Sequence, residues 1–200
     1  MTTSTTTIEG VASKVPEIGL AFWIIKIAAT TLGETGGDSV TMTLGWGYLA
    51  GTFLFAGLLA ALVVAQIAAR KFHPSLYWAT IIASTTFGTT MADFADRSLG
   101  IGYTGGAMLL FGCLMASLAT WYWSEGAISA DTVSTPRVEA FYWITITFSQ
   151  TLGTALGDWI AATDGGGLGL GYASGSLVFA ALIAVVVMFY YRTNVSHVLL

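Results

Sequence analysis

Three acidic phrases recur along this 200-residue chain: "TTLGETGGD" ending at Asp38, "TTFGTTMAD" ending at Asp93 and "QTLGTALGD" ending at Asp158. Each carries a glycine five residues before its aspartate and follows an aromatic–tryptophan pair: Phe22-Trp23, Tyr77-Trp78 or Tyr142-Trp143. The spacing from Trp to Asp is fifteen residues every time. Repeated carboxylates in an apolar chain can ligate a hard cation, carry protons, or work as an acid–base pair.

Helical geometry sorts the phrase into two stripes. Positions eight, eleven and fifteen after each Trp share one face, being three and four residues apart. They are Thr31, Glu34 and Asp38, then Thr86, Thr89 and Asp93, then Thr151, Thr154 and Asp158. Gly33, Gly37, Gly88, Gly153 and Gly157 form a neighbouring small-residue stripe, with Ala92 in the remaining place. Such a stripe lets helix backbones approach closely in lipid. The expected assembly therefore clusters three helices and brings Asp38, Asp93 and Asp158, with Glu34, near one polar axis as an ion or proton pathway. Thr31, Thr86 and Thr151 would add hydroxyls to it.

The elements that must position these residues are membrane helices. The chain is 55% hydrophobic and only 9% charged, with a mean hydropathy of +0.75, whereas soluble domains carry about 25% charged residues. Six apolar segments are expected, roughly 18–37, 46–69, 76–93, 102–123, 138–158 and 170–191. Each approaches the ~20 residues that cross a hydrocarbon core. The predicted fold is all-α: a single polytopic membrane domain, 1–200, of six transmembrane helices arranged as three parallel two-helix repeats. The repeats fall at about 14–73, 74–135 and 136–200, after a disordered Thr/Ser-rich tail at 1–13. The second helix of each repeat opens with LGxGYxxG, seen as "LGWGYLAG", "LGIGYTGG" and "LGLGYASG". No strand precedes it, so it reads as a tight turn with Tyr at the interface rather than a nucleotide loop.

Charge placement orients the chain. Lys14, Arg70, Lys71, Arg137 and Arg192 fall on one side and Arg97 alone on the other. By the positive-inside rule both termini are expected to be cytoplasmic. The opposite end collects Glu34, Asp38, Asp93, Asp96, Asp158 and Asp164. At ~1.5 Å per residue each Asp lies about 22 Å beyond its Trp, short of the far interface of a ~30 Å core. Helix-end carboxylates are disfavoured by the macrodipole, and a bound cation would offset both penalties. Lys26 is expected to snorkel to the headgroups, and the Trp and Tyr residues to form interfacial belts.

The bland alternative is that each Asp merely ends its span at the water. Glu34, with no acidic counterpart at Thr89 or Thr154, makes the axis asymmetric and favours a site. Cys113 is the single cysteine, and His73 and His197 show no metal-ligand spacing. No Walker loop, nucleophile elbow or basic nucleic-acid patch is present in the sequence, so the chain is not expected to be an enzyme.

The stretches "VPEIGLAFWIIKIAATTLGETGGD", "ADFADRSLGIGY" and "VEAFYWITITFSQTLGTALGD" resemble a bacterial family of membrane-anchored proteins built from a repeat of unknown function. The resemblance spans nearly the whole chain. Its members look like four-repeat proteins, whereas three repeats are legible here. It implies a membrane location and no established chemistry.

The leading expectation is transport of a small cation. Asp38, Asp93, Asp158 and Glu34 are the candidate metal ligands. Carboxylate, hydroxyl and carbonyl oxygens favour hard ions such as Mn²⁺, Mg²⁺ or Ca²⁺, and clustered acids can share protons. The expected partners are the lipid bilayer and the cation, with a homo-oligomer compatible and nucleic acid excluded. The alternative is a non-transporting membrane anchor or scaffold for a partner protein.

Overall fold

The computed structural model describes residues 13–193. The expected tail falls almost wholly outside them, as does His197. Six helices follow in order: α1 (Leu20–Asp38), α2 (Tyr48–Ala68), α3 (Pro74–Asp93), α4 (Gly102–Glu125), α5 (Pro136–Ala161) and α6 (Gly171–Thr193). Among the described residues all regular structure is helical.

Local chemistry sets the boundaries. Pro74 and Pro136 open α3 and α5, where a missing N–H costs nothing and φ is already helical. Thr135 caps α5 by accepting from Val138 N–H, and Gly126 ends α4 in the left-handed conformation at φ 75°. Both glycines of each LGxGY phrase also have positive φ: 70° and 78° at Gly45 and Gly47, 71° and 68° at Gly100 and Gly102, and 71° at Gly169 and Gly171. That explains the invariant pair of glycines. Side chains other than glycine are strained there, and the turn must reverse direction within a few residues.

Three helices are long and apolar enough to cross a membrane: α2, α4 and residues Gly171–Phe189 of α6. Their outer surfaces carry exposed Leu54, Val64, Phe111, Met108, Leu182 and Ile183, far more apolar area than a soluble protein presents. This is a helical membrane protein. The polar-striped helices α1, α3 and α5 fall below that apolarity, because Thr, Gly and acidic residues replace Leu and Val along them.

Of the striped helices, α3 and much of α5 are sheltered by protein, whereas α1 buries only Ala29, Gly33 and Gly37 and leaves Ile24, Ile27 and Leu32 exposed. α3 lies at the centre, packed against α1, α2 and α5, while α4 and α6 both pack on α5. α3 buries Thr80, Ser84, Thr85, Thr86, Thr89 and Thr90. Five of those hydroxyls bond back to carbonyls one turn earlier, as Thr80 does to Leu76 and Thr86 to Ile82. Such back-bonding satisfies a polar helix inside a bundle. Gln150 of α5 joins the same seam through Thr85 Oγ1 and Ser84 Oγ.

A directional rule relates the repeats. The glycine of one first helix receives the threonine of the next: a Cβ at Gly33 would lie 2.7 Å from Thr85 Cβ, and one at Gly88 would lie 2.9 Å from Thr151 Oγ1. Gly37 likewise faces Thr90 and Thr86. Gly153 and Gly157 depart from the expected packing role, since nothing lies within 4 Å of either added Cβ. Among the described residues no further first helix packs on that face of α5 to supply the threonine.

The aromatic–tryptophan pairs obey the same order. Phe22 meets Trp78 and Tyr77 meets Trp143, with ring centroids 5.4 Å and 5.5 Å apart. Tyr77 and Tyr142 share a hydroxyl–hydroxyl bond of 2.6 Å. Trp143 and Trp121 are buried, so the expectation that Trp forms a lipid-facing belt is corrected for these two. Nearby, Lys14 is buried rather than at the interface. Its ammonium lies 2.6 Å from Glu139 Oε1 and donates to the Gln66 and Ile67 carbonyls at the end of α2.

Candidate functional site

The opposite end of the bundle contains a cavity of about 460 Å³ between α1, α3, α5 and α6. Positions eleven and fifteen of all three first helices line it: Glu34 and Asp38, Thr89 and Asp93, Thr154 and Asp158. The position-eight threonines do not. Thr31 is exposed, and Thr86 and Thr151 are buried in the helix seams. Gly153 and Gly157, open toward neighbours, form part of the cavity wall.

Asp38 and Asp93 close α1 and α3. The α-helical hydrogen bonding stops at each, but the chain runs on into a wide π-helical turn, Ser39–Thr43 and Phe94–Ser98, so neither acid stands at the free helix end that the sequence predicts. In the third repeat α5 ends at Ala161, and Ala162 N–H closes on the Asp158 carbonyl at 2.8 Å.

The second π-helical turn delivers Arg97, which sequence reasoning did not place in the site. Its Nε lies 3.1 Å from Asp93 Oδ1, and Nη2 lies 3.3 Å from Asp158 Oδ2. Nη1 donates to Tyr48 Oη at 3.1 Å. The guanidinium also stands 5.7 Å and 5.9 Å from the Tyr48 and Tyr103 ring centroids, within cation–π range. Burial works against its charge, but Asp93, Asp158 and the two tyrosines outweigh that and hold its pKa above the usual arginine value. The available signal was an arginine four residues after a repeated aspartate, alone on an acidic side.

The tyrosines belong to the repeated phrase. Tyr48 and Tyr103 flank Arg97, and Tyr172 lines the cavity. LGxGY thus supplies site residues as well as a turn. The glycine-rich loop of the third repeat holds Tyr103 in place: Tyr103 N–H donates to the Gly165 carbonyl at 3.1 Å.

Among the described residues no three His, Cys, Asp or Glu side chains converge closely enough to hold a metal ion. The expected ligand set of Asp38, Asp93, Asp158 and Glu34 is therefore spread around the cavity rather than gathered at a point. The physical reason is visible: Arg97 bridges Asp93 and Asp158. Glu34 and Asp38, one turn apart on α1, have no salt-bridge partner among the described residues.

Asp96 lies on the same turn as Arg97 without lining the cavity. It is only 4% exposed, and neither carboxylate oxygen has a hydrogen-bond partner. It seats against Gly106 of α4, where an added Cβ would overlap Oδ1. Burial pushes its pKa up to about 7, with Asp158 and Asp93 adding to the rise and Arg97 opposing it.

The family described as "Repeat of Unknown Function (DUF347)" matches residues 21–72, 76–127 and 141–196. The chain belongs to that family. Its three matched units coincide with the three helical hairpins, so the family repeat is one polar-striped helix followed by one apolar helix. No curated protein and no solved structure matches the chain.

Proposed function

We propose that this membrane protein moves a small cation, with all six helices spanning the bilayer and both termini cytoplasmic. The observation that carries the reading is the convergence of Glu34, Asp38, Asp93 and Asp158, from three repeats, on one cavity whose single basic residue is Arg97. Acids within a membrane bundle are costly and mark ion or proton pathways. Here acids from three repeats line one shared cavity. The apolar helices α2, α4 and α6 carry lipid-compatible outer faces, and α1 and α5 each pack on α3 with their acids toward the shared cavity, as a pathway through a bundle requires. The protein is not an enzyme on this reading.

The test is flux in liposomes containing the intact chain, screening Mn²⁺, Mg²⁺ and Ca²⁺ with a proton-sensitive dye and an organic ammonium tracer. Asp38→Asn, Asp93→Asn and Asp158→Asn are run beside it. Flux lost in folded variants supports the pathway. No flux of any cation from intact protein rejects it and leaves an anchor or scaffold role, for which the interlocked Gly–Thr seams are suited.

A further inference from the structure

The cavity is built for a body larger than a bare ion. Its ~460 Å³ lies within the ~300–1,000 Å³ typical of small-molecule sites. A dehydrated hard metal instead needs ligands converging at about 2.0–2.6 Å, and the acids here do not converge. The two walls differ in chemistry. On α1, Glu34 and Asp38 offer carboxylates without salt-bridge partners, whereas Asp93 and Asp158 are already engaged by Arg97. On α6, Tyr172 and Phe179 present rings, and Met42 adds a polarizable thioether.

A second observation points to a ligand independently of the acids. Thr89, only 3% exposed, lines the cavity, and its Oγ1 is the one buried hydroxyl of α3 with no hydrogen-bond partner. Every other buried Ser or Thr hydroxyl on that helix bonds back to a carbonyl. A buried hydroxyl left without a partner is costly, and a polar group in the cavity would satisfy it.

We infer that the cavity binds an organic ammonium, with its charged nitrogen between Glu34 and Asp38 and its apolar body against Phe179, Tyr172 and Met42. Carboxylates supply the charge and aromatic faces add cation–π attraction. Arg97 offsets one of the four carboxylate charges, so the cavity keeps a net negative charge that suits a cationic body. Gly153 and Gly157 keep the α5 wall flat, which leaves room for the body. This inference rests on the cation reading above and narrows its cargo.

The experiment titrates the full chain, purified in nanodiscs, with ethidium followed by fluorescence, and with Mn²⁺ followed by electron paramagnetic resonance. Ethidium should bind saturably. Glu34→Gln with Asp38→Asn should weaken it at least tenfold. Gly157→Val, whose side chain enters open space, should weaken ethidium by a similar factor while the protein melts normally. Saturable Mn²⁺ binding without ethidium binding overturns this inference and keeps the cation reading. Ethidium binding unchanged by both sets of substitutions also overturns it, as binding elsewhere. Binding of neither probe overturns the inference, and the liposome flux of Mg²⁺, Ca²⁺ and protons then decides the cation reading by itself.

Discussion

Gly33 of α1 and Thr85 of α3 meet so closely that no side chain fits between them: an added Cβ would be 2.7 Å from Thr85 Cβ and 3.1 Å from the Ile82 carbonyl. Neither is the free end of a flexible side chain. Gly33→Ala should therefore destabilise the bundle by about 1–3 kcal/mol, the usual cost of overpacking. Gly153→Ala, at the equivalent place in the third repeat, meets nothing and should be neutral or stabilising by about 0.5–1 kcal/mol. Unfolding of both variants in mixed micelles checks the contrast.

Arg97→Lys should not substitute for arginine. A lysine ammonium is a point charge and cannot span Asp93, Asp158 and Tyr48 in the fork geometry of a guanidinium. Arg97→Gln should lower the melting temperature, because it leaves the buried Asp93 carboxylate uncompensated. Asp93→Asn in that background should recover part of the loss. Four melting curves, of the parent, Arg97→Gln, Asp93→Asn and the double variant, compared as a double-mutant cycle, measure the coupling.

At the other end, Lys14→Met removes the partner of a buried carboxylate. With the pair only 8% and 1% exposed, the expected cost is about 3–5 kcal/mol. Replacing both, Lys14→Met with Glu139→Met, should recover most of that, since no buried charge is then orphaned. A double variant as unstable as the single one would contradict this account of the pair.

Asp96 predicts a pH dependence of stability. Its folded pKa is raised from 3.8 to about 7, so the folded state holds this proton more tightly than the unfolded chain does. The stability it contributes is full below pH 3.8 and is lost as pH rises to about 7. The groups acting on it are Asp158 from α5, Asp93 one turn before it and the opposing Arg97. Asp96→Asn should flatten that part of the melting-temperature profile, and its advantage over the parent should be greatest above pH 7. Parallel profiles for the two proteins would show that Asp96 does not titrate there.

Much of the architecture was legible because lipid leaves few solutions. Helix bounds differ from the expected spans by a few residues at most, as in Gly102–Glu125 against 102–123. The stripe reading was legible in part: 3.6-residue periodicity puts Glu34 and Asp38 on one face, and both line the cavity. The same periodicity cannot say which neighbour a face meets. Thr86 and Thr151, on the same stripes, are consumed by helix seams, while Gly153 and Gly157 stand beside open space. Arg97 was placed on the acidic side but not in the site, because it follows α3 on a π-helical turn, where extrapolating an α-helical face fails.

By itself, then, the sequence determined an all-helical membrane chain of three like-oriented hairpins, since composition, repeat length and the need to pair every backbone group in lipid leave no other economical arrangement. Tertiary structure alone decided that α3 would be central, that Arg97 would bridge Asp93 and Asp158, and that the acids would surround a cavity instead of meeting at a point. Those outcomes depend on how helices from different repeats pack, and sequence distance carries no record of the space left between them.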